Sequence, residues 1–230
     1  MRLGIDVGGT HTDAVIIDKD KGVIAKHKVK TDKDNLLETI ILSLKEVTAN
    51  QDISKIAAVN LSTTLSTNAI VENKIEPTAL FLSSGPGINP ENFAIGNHTY
   101  IIKGSIDHRG TEVAAIDNAQ LNKYIQECKE KQIKVCAVAG KFSTRNNKHE
   151  VIIKEAAAPY CDYITMGHTL SGVLSFPRRA ASAYYNSAVW RIYNNFIDSV
   201  LKAMEDIGIR APINILKADG GTMPLELSRK

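Results

Sequence analysis

The chain has 230 residues, 43% of them hydrophobic and 23% charged, with a formal net charge of +3. This is the composition of a soluble globular protein with material for a sizeable core, as one large domain or two small ones. Lys and Arg are scattered among Asp and Glu, which leaves no concentrated basic face for nucleic acid, and no apolar run approaches the ~18 residues of a membrane span.

Met1-Arg2-Leu3-Gly4-Ile5 carries no apolar signal core, so a cytoplasmic protein is expected. Cys128, Cys136 and Cys161 form no CxxC pair and no zinc spacing, and read as reduced core residues. Residues 3–18 read as strand, turn, strand. Gly8 and Gly9 lack a Cβ, so the turn can adopt left-handed angles and bring its amides against an anion, and Thr10 and Thr12 add hydroxyl donors. Asp6, ending the first apolar run, is suited to accept hydrogen bonds from the water shell of a Mg2+ ion that bridges phosphates. A nucleotide is implied. An ordinary hairpin also uses paired glycines, but needs neither the Asp before them nor the two Thr after.

A third strand over residues 23–30 completes an antiparallel meander. Asp34 then precedes Leu36, Leu37, Ile40, Ile41, Leu44 and Val47, the spacing of a capped amphipathic helix, and residues 56–61 form a buried strand. Three antiparallel strands, a crossover helix and a further strand begin a ribonuclease H-like half-domain. Thr63, Thr64, Ser66, Thr67 and Asn68 follow and enter a helix over 65–72. These are more polar groups than N-capping needs, so a ligand contact is expected there.

Residues 78–82 read as a strand closed by a Gly/Pro loop, and 88–112 as a polar insertion over the sheet edge. Asp117 and Gln120 form a capping box for a helix to Lys131; 135–140 is a buried strand, 148–158 a helix ended by Pro159, and 163–165 a short strand. The stripe Tyr185, Val189, Ile192, Phe196, Val200, Met204 and Ile207 predicts one long helix from near Pro177 to Gly208. A last strand, 213–216, delivers Asp219-Gly220-Gly221-Thr222, an echo of the first turn.

Gly4-Ile5-Asp6-Val7-Gly8-Gly9-Thr10-His11-Thr12-Asp13, Ser62-Thr63-Thr64-Leu65-Ser66-Thr67-Asn68-Ala69, Phe176-Pro177-Arg178-Arg179-Ala180 and Lys217-Ala218-Asp219-Gly220-Gly221 together resemble, in order, the signatures of the hydantoinase A / oxoprolinase family. The resemblance runs along nearly the whole chain. The first motif is shared with sugar kinases and other actin-like ATPases; the second singles out this family. His11 stands where the family would place an aromatic residue such as Phe.

The resemblance implies an α/β, ribonuclease H-like (actin-like ATPase) mixed sheet flanked by helices, incomplete relative to the full two-half-domain fold. It assigns 1–175 to the N-terminal ribonuclease H-like domain and 176–230 to the beginning of the following hydantoinase A domain. It implies an ATP-dependent hydrolase that opens a cyclic amide by phosphorylating its carbonyl, with ATP and Mg2+ as cofactors, a separate B subunit and an oligomeric state. The matching positions put Asp6, Thr64 and Asn68 in catalytic roles, with Asp6 also serving the metal, and Gly8, Gly9, Thr10, His11, Thr12 and Thr63 against the nucleotide. A small-molecule kinase of the same superfamily, or a non-catalytic module that keeps the fold, are the alternatives.

Other polar residues read more plainly. Asp18 is a turn residue. His11 and His168 can carry protons or ligate metals, though a lone His is more often structural. Asp107-His108-Arg109 fits an exposed loop. Arg178 and Arg179 open the long helix, where an anionic partner would explain them, and Lys141 has the reach to touch a phosphate.

Overall fold

The computed structural model describes residues 1–32 and 35–229; Asp34, the expected helix cap, lies outside the described residues. The chain runs β1 (Arg2–Val7), β2 (His11–Asp18), β3 (Gly22–Lys30), α1 (Leu36–Thr48), β4 (Ala58–Thr63), α2 (Leu65–Val71) and β5 (Thr78–Ser83). It continues through β6 (Thr99–Ile101), β7 (Ser105–Ile106), β8 (Glu112–Ala114), α3 (Asn118–Glu130), β9 (Val135–Gly140) and α4 (Lys148–Ala157). The last elements are β10 (Tyr163–Met166), α5 (Gly167–Leu170), α6 (Phe176–Ile207), β11 (Ile213–Leu216), β12 (Thr222–Pro224) and α7 (Leu225–Ser228). Two compact units result, residues 1–74 with 191–230, and residues 75–190. The boundary expected at 175/176 coincides with the start of α6, whereas compactness divides the chain at 74/75 and 190/191.

The first unit is built on a six-stranded sheet in the order β12-β11-β4-β1-β2-β3. β1, β2 and β3 are antiparallel neighbours, while β4 lies parallel to β1 and β11 parallel to β4. This is the mixed order expected of a ribonuclease H-like half-domain, with residues 75–190 inserted between its fourth and fifth strands. Alternation along the strands turns Leu3, Ile5, Val7, Ala14, Ile16, Val59 and Leu61 to one face. They pack with Ile40, Leu44 and Val47 of α1 and Phe196, Ile197 and Val200 of α6 in a single apolar cluster. Asn35 caps α1, its side chain accepting from the Glu38 N–H.

The second unit has a four-stranded parallel sheet in the order β10-β9-β5-β6. All six residues of β5 and of β9 are buried, as a central strand covered on both faces requires. The segment read as a polar insertion instead supplies the edge strand β6, paired with β5 through Phe81 and Tyr100, and the small β7–β8 ribbon. Its strands are two or three residues long, too short for a periodic signal in the sequence. At α3 the Asp117 side chain accepts from the Gln120 N–H as expected, but Gln120 does not reciprocate: its Oε1 accepts from the Lys103 N–H. The long helix is one piece of 32 residues, Phe176–Ile207, and ends at Gly208, whose φ of +84° suits glycine.

Candidate functional site

The site is assembled at the carboxyl ends of β1 and β4, the edge at which open α/β sheets receive ligands. The two strands lie side by side with Val7 opposite Thr63 and Asp6 opposite Ser62, so the turn after β1 and the segment after β4 meet although they lie far apart in sequence. Thr63 makes the junction. Its Oγ1 donates to the Val7 carbonyl at 2.9 Å and accepts from the Leu65 N–H at 3.1 Å, joining the strands and opening α2 with one hydroxyl.

The turn is held from behind. Thr31, at the end of β3, donates its Oγ1 to the Gly8 carbonyl at 2.9 Å, and Thr12 Oγ1 lies 3.0 Å from Thr31 Oγ1. The Thr31 N–H also donates to the Thr10 carbonyl, and the Gly8 N–H to the His11 carbonyl. Among the described residues, the N–H groups of Gly9 and Thr10 donate to no protein acceptor. Neither Gly8 nor Gly9 has a positive φ, so left-handed angles are not the reason for the glycines. At Gly8 the reason is close approach, since a Cβ there would stand 3.0 Å from the His11 carbonyl oxygen.

Side chains of the turn divide between the two faces. Thr12 is fully buried and its hydroxyl is turned inward to Thr31, away from any ligand. Thr10 and His11 are exposed, with His11 Nδ1 3.3 Å from Thr10 Oγ1. Asp6 is exposed on the face opposite Leu3, Ile5 and Val7, between Asp13 on β2 and Ser62 on β4. Asp13 is ion-paired with Lys28 at 3.0 Å, whereas the Asp6 carboxylate takes up no protein donor among the described residues. Asn68 Nδ2 donates to Thr64 Oγ1 at 3.3 Å.

On the Val7 side of the turn a pocket of about 160 Å³ opens, lined by Val7, Gly8, Gly9, Leu36, Leu65 and Ala69, with Asn68, Glu72 and Lys74 among its polar groups. Lys74 Nζ is paired with Glu72 Oε2 at 2.6 Å. Thr31 and this pocket were not legible in the sequence, because nothing marks a single Thr after a strand as the support of a turn.

The remaining candidates are occupied elsewhere. Arg179 is buried and donates to the carbonyls of Val173, Gly140 and Lys141, so backbone oxygens and not an anionic ligand account for it, while Arg178 is exposed. Lys141 Nζ donates to the Pro86 carbonyl at 2.6 Å. His168 is bound to Glu150, and Asp107 accepts from the N–H groups of Arg109 and Thr111 to shape its own loop. Asp219 accepts from Gly221 N–H and pairs with Lys217, so the second Gly-Gly turn is a self-contained hairpin between β11 and β12. Among the described residues no three His, Cys, Asp or Glu side chains are grouped to hold a metal. No helix among them is long and apolar enough to cross a membrane.

Residues 2–161 match the model of the hydantoinase/oxoprolinase N-terminal region, and the chain belongs to that family. It is similar to the alpha subunit of caprolactamase from Pseudomonas jessenii, 23% identical over 97% of this chain and 36% of the relative. An uncharacterized protein of Methanocaldococcus jannaschii is 21% identical over 96% of this chain and 35% of its own length. Among solved structures, nucleotide-free acetone carboxylase superposes with a TM-score of 0.85 at 14% identity, covering 100% of this chain and 38% of that one. The crystal structure of the ATP-dependent caprolactamase from Pseudomonas jessenii superposes with a TM-score of 0.78 at 21% identity, covering 97% and 36%. These likenesses establish a shared fold, and the chain spans little more than a third of the length of the proteins it matches.

Proposed function

We propose that this chain carries the first phosphate-holding turn and part of the substrate site of an ATP-dependent hydrolase that opens a cyclic amide. The observation that carries the reading is the turn itself: backbone N–H groups at Gly9 and Thr10 and a carboxylate at Asp6 that take up no protein partner among the described residues, with a close backbone approach at Gly8 that would crowd a side chain. Such a cradle fits the terminal phosphates of ATP and the hydrated Mg2+ that accompanies them.

In that reaction the amide carbonyl oxygen takes the terminal phosphoryl group as its bond to ADP breaks; a first water adds to the activated carbon and the ring C–N bond breaks, freeing the amine and leaving an acyl phosphate, from which a second water releases inorganic phosphate and the carboxylate. Mg2+ would supply charge neutralisation on the phosphate oxygens. The Gly9 and Thr10 N–H groups would orient those oxygens, with His11 beside them. Asp6 would hold the water shell of the metal. Thr31, Thr12 and Thr63 would keep the turn in register without touching the nucleotide, and Thr64 and Asn68 would face the reacting amide. Phosphoryl transfer is promoted by positioning and fixed donors, so no protein nucleophile is required.

A kinase acting on a hydroxyl would want a free carboxylate as base. The carboxylates at the site, Asp6 and Glu72, do not separate the two readings; hydrolysis of ATP coupled to ring opening would. The "subunit alpha" in the name of the relative supports a second subunit as partner and an oligomeric assembly.

Calorimetry with MgATP on the 230-residue chain and on Asp6→Ala tests the site. Binding that is lost in the variant is expected; absence of binding at millimolar MgATP would overturn the reading for this chain.

A further inference from the structure

The second unit holds a pair of thiols for which the proposed reaction has no use. Cys136 is on the central strand β9, and Cys161 lies just before β10, which runs parallel to β9 with Ile164 opposite Cys136. The Asp162 N–H donates to the Lys134 carbonyl at 2.7 Å and pins the entry of β10 beside β9. The two sulfurs meet there at 2.8 Å, although the residues are 25 apart in sequence. Cys128 of α3 packs in the same apolar cluster, but among the described residues no hydrogen bond joins it to either sulfur.

Burial gives the pair an order. Cys136 is at 0% exposure, out of reach of a dissolved reagent, whereas Cys161 is half-buried. The hydrogen bond from Cys136 also holds the Cys161 thiol below its ordinary pKa, while that same bond and burial push Cys136 up. Oxidation starts at the sulfur that is both reachable and richer in thiolate, and a thiol waiting beside it intercepts the product before it is oxidised further.

We infer that Cys136 and Cys161 form a modification site, at which a peroxide closes a reversible disulfide between β9 and the entry to β10. The Cys161 thiolate attacks one oxygen of hydrogen peroxide; the O–O bond breaks, hydroxide leaves and takes a proton to become water, and Cys161 becomes a sulfenic acid. Cys136 then attacks that sulfur. The S–S bond forms as the S–O bond breaks, and the oxygen leaves with the Cys136 proton as a second water. Two electrons pass from the thiol pair to the peroxide. The closed ring contains the loop after β9 and all of α4, so the unfolded chain loses freedom that the folded one has already given up.

The test adds hydrogen peroxide to the reduced 230-residue chain and maps the product by mass spectrometry without reduction. The free thiols should fall from three to one, the mass by two hydrogens, and one linked peptide pair should join Cys136 to Cys161 within a single chain; dithiothreitol should reverse all three changes. A bond through Cys128, a bond between two chains, or a sulfinic acid on Cys161 with Cys136 still a thiol overturns the proposal. These readouts need no variant. Cys128→Ala should still close the bond. Cys136→Ser should stop at the sulfenic acid, captured on Cys161 by dimedone; capture elsewhere overturns the order of attack. The Tm of the oxidised chain should exceed that of the reduced chain by about 5 °C or more, and an oxidised chain that melts at or below the reduced one overturns the reading of the pair as placed for bonding.

Discussion

Glu150 and Arg179 grip the two backbone polar groups of one residue: Glu150 Oε1 accepts the Gly140 N–H at 2.8 Å and Arg179 Nη2 donates to the Gly140 carbonyl at 2.7 Å. Both side chains are buried, at 0% and 1% exposure, where an ionised group persists only if most of its donors and acceptors are met. Glu150 Oε2 accepts from the backbone N–H of His168 and lies against His168 Nδ1, and the Arg179 fork also donates to the carbonyls of Lys141 and Val173, while among the described residues its buried Nε takes no partner.

Arg179→Met removes a buried charge and takes the Arg179 donor from the Val173 and Lys141 carbonyls, while the Gly140 carbonyl keeps Ser143, and is expected to lower stability by about 2–3 kcal/mol. Arg179→Lys recovers less than half of that, because an ammonium cannot reproduce the planar fork that reaches three acceptors. Denaturant unfolding of the two variants measures both effects.

His149 makes stability depend on pH. Its Nδ1 lies 2.9 Å from Ser83 Oγ and its Nε2 3.1 Å from Glu112 Oε1, and burial holds its pKa below the ordinary 6.5 despite the carboxylate. The unfolded chain therefore takes up this proton at a higher pH than the folded one. Stability should be fully present above about pH 6.5 and fall as the pH drops toward the folded pKa. His149→Asn should flatten that part of the curve. Glu112 cannot mimic the effect, since Lys148 and His149 hold its carboxyl below 4.5. Unfolding free energies between pH 5 and 8 decide the matter.

The support of the turn predicts an order of effects. Thr31→Val breaks the hydrogen bond to Gly8 and leaves the Gly8 carbonyl and the buried Thr12 hydroxyl without it, for a cost of about 1–2 kcal/mol. MgATP affinity should fall with it. Thr12→Val leaves the bond from Thr31 to Gly8 intact and should weaken MgATP less. Calorimetry together with denaturant unfolding separates distortion of the turn from loss of fold.

Alkylation should single out one thiol. Cys136 and Cys161 face each other with 2.8 Å between sulfurs; the hydrogen bond from Cys136 lowers the pKa of the half-buried Cys161, while Cys136 and Cys128 are both raised. Iodoacetamide near neutral pH should modify Cys161 first. Cys136→Ala should slow that reaction. Peptide mass mapping over time gives the order.

Much of the fold was written in local patterns. The Ile/Leu spacing of α1, the long stripe of α6 and the uninterrupted apolar runs of β5 and β9 each name their element, because one buried face or two leave a periodic trace. β6 to β8 left none, being two or three residues long and held by pairing with strands remote in sequence. The glycine turn and the Thr-rich segment were equally legible, yet the work of each residue was not. Thr12 and Thr63 look like ligand donors in the sequence, and the structure gives their hydroxyls to Thr31 and Val7. Arg179 reads in the sequence as the partner of an anion until its three carbonyl acceptors, contributed by two separate segments, are in place.

The sheet of the first unit places β11 against β4, with Ile213 opposite Val59, although all of residues 75–190 lie between them in the chain. A ribosome emitting this chain therefore releases the whole inserted unit while β4 still lacks its neighbour, and the meander β1–β3 with β4 must wait for β11 before the sheet is complete. Long-range closure of this kind slows folding and exposes strand edges meanwhile. The inserted unit, contiguous in sequence, is the part that can fold as it emerges, and the turn after β1 is made well before the strand that completes its sheet.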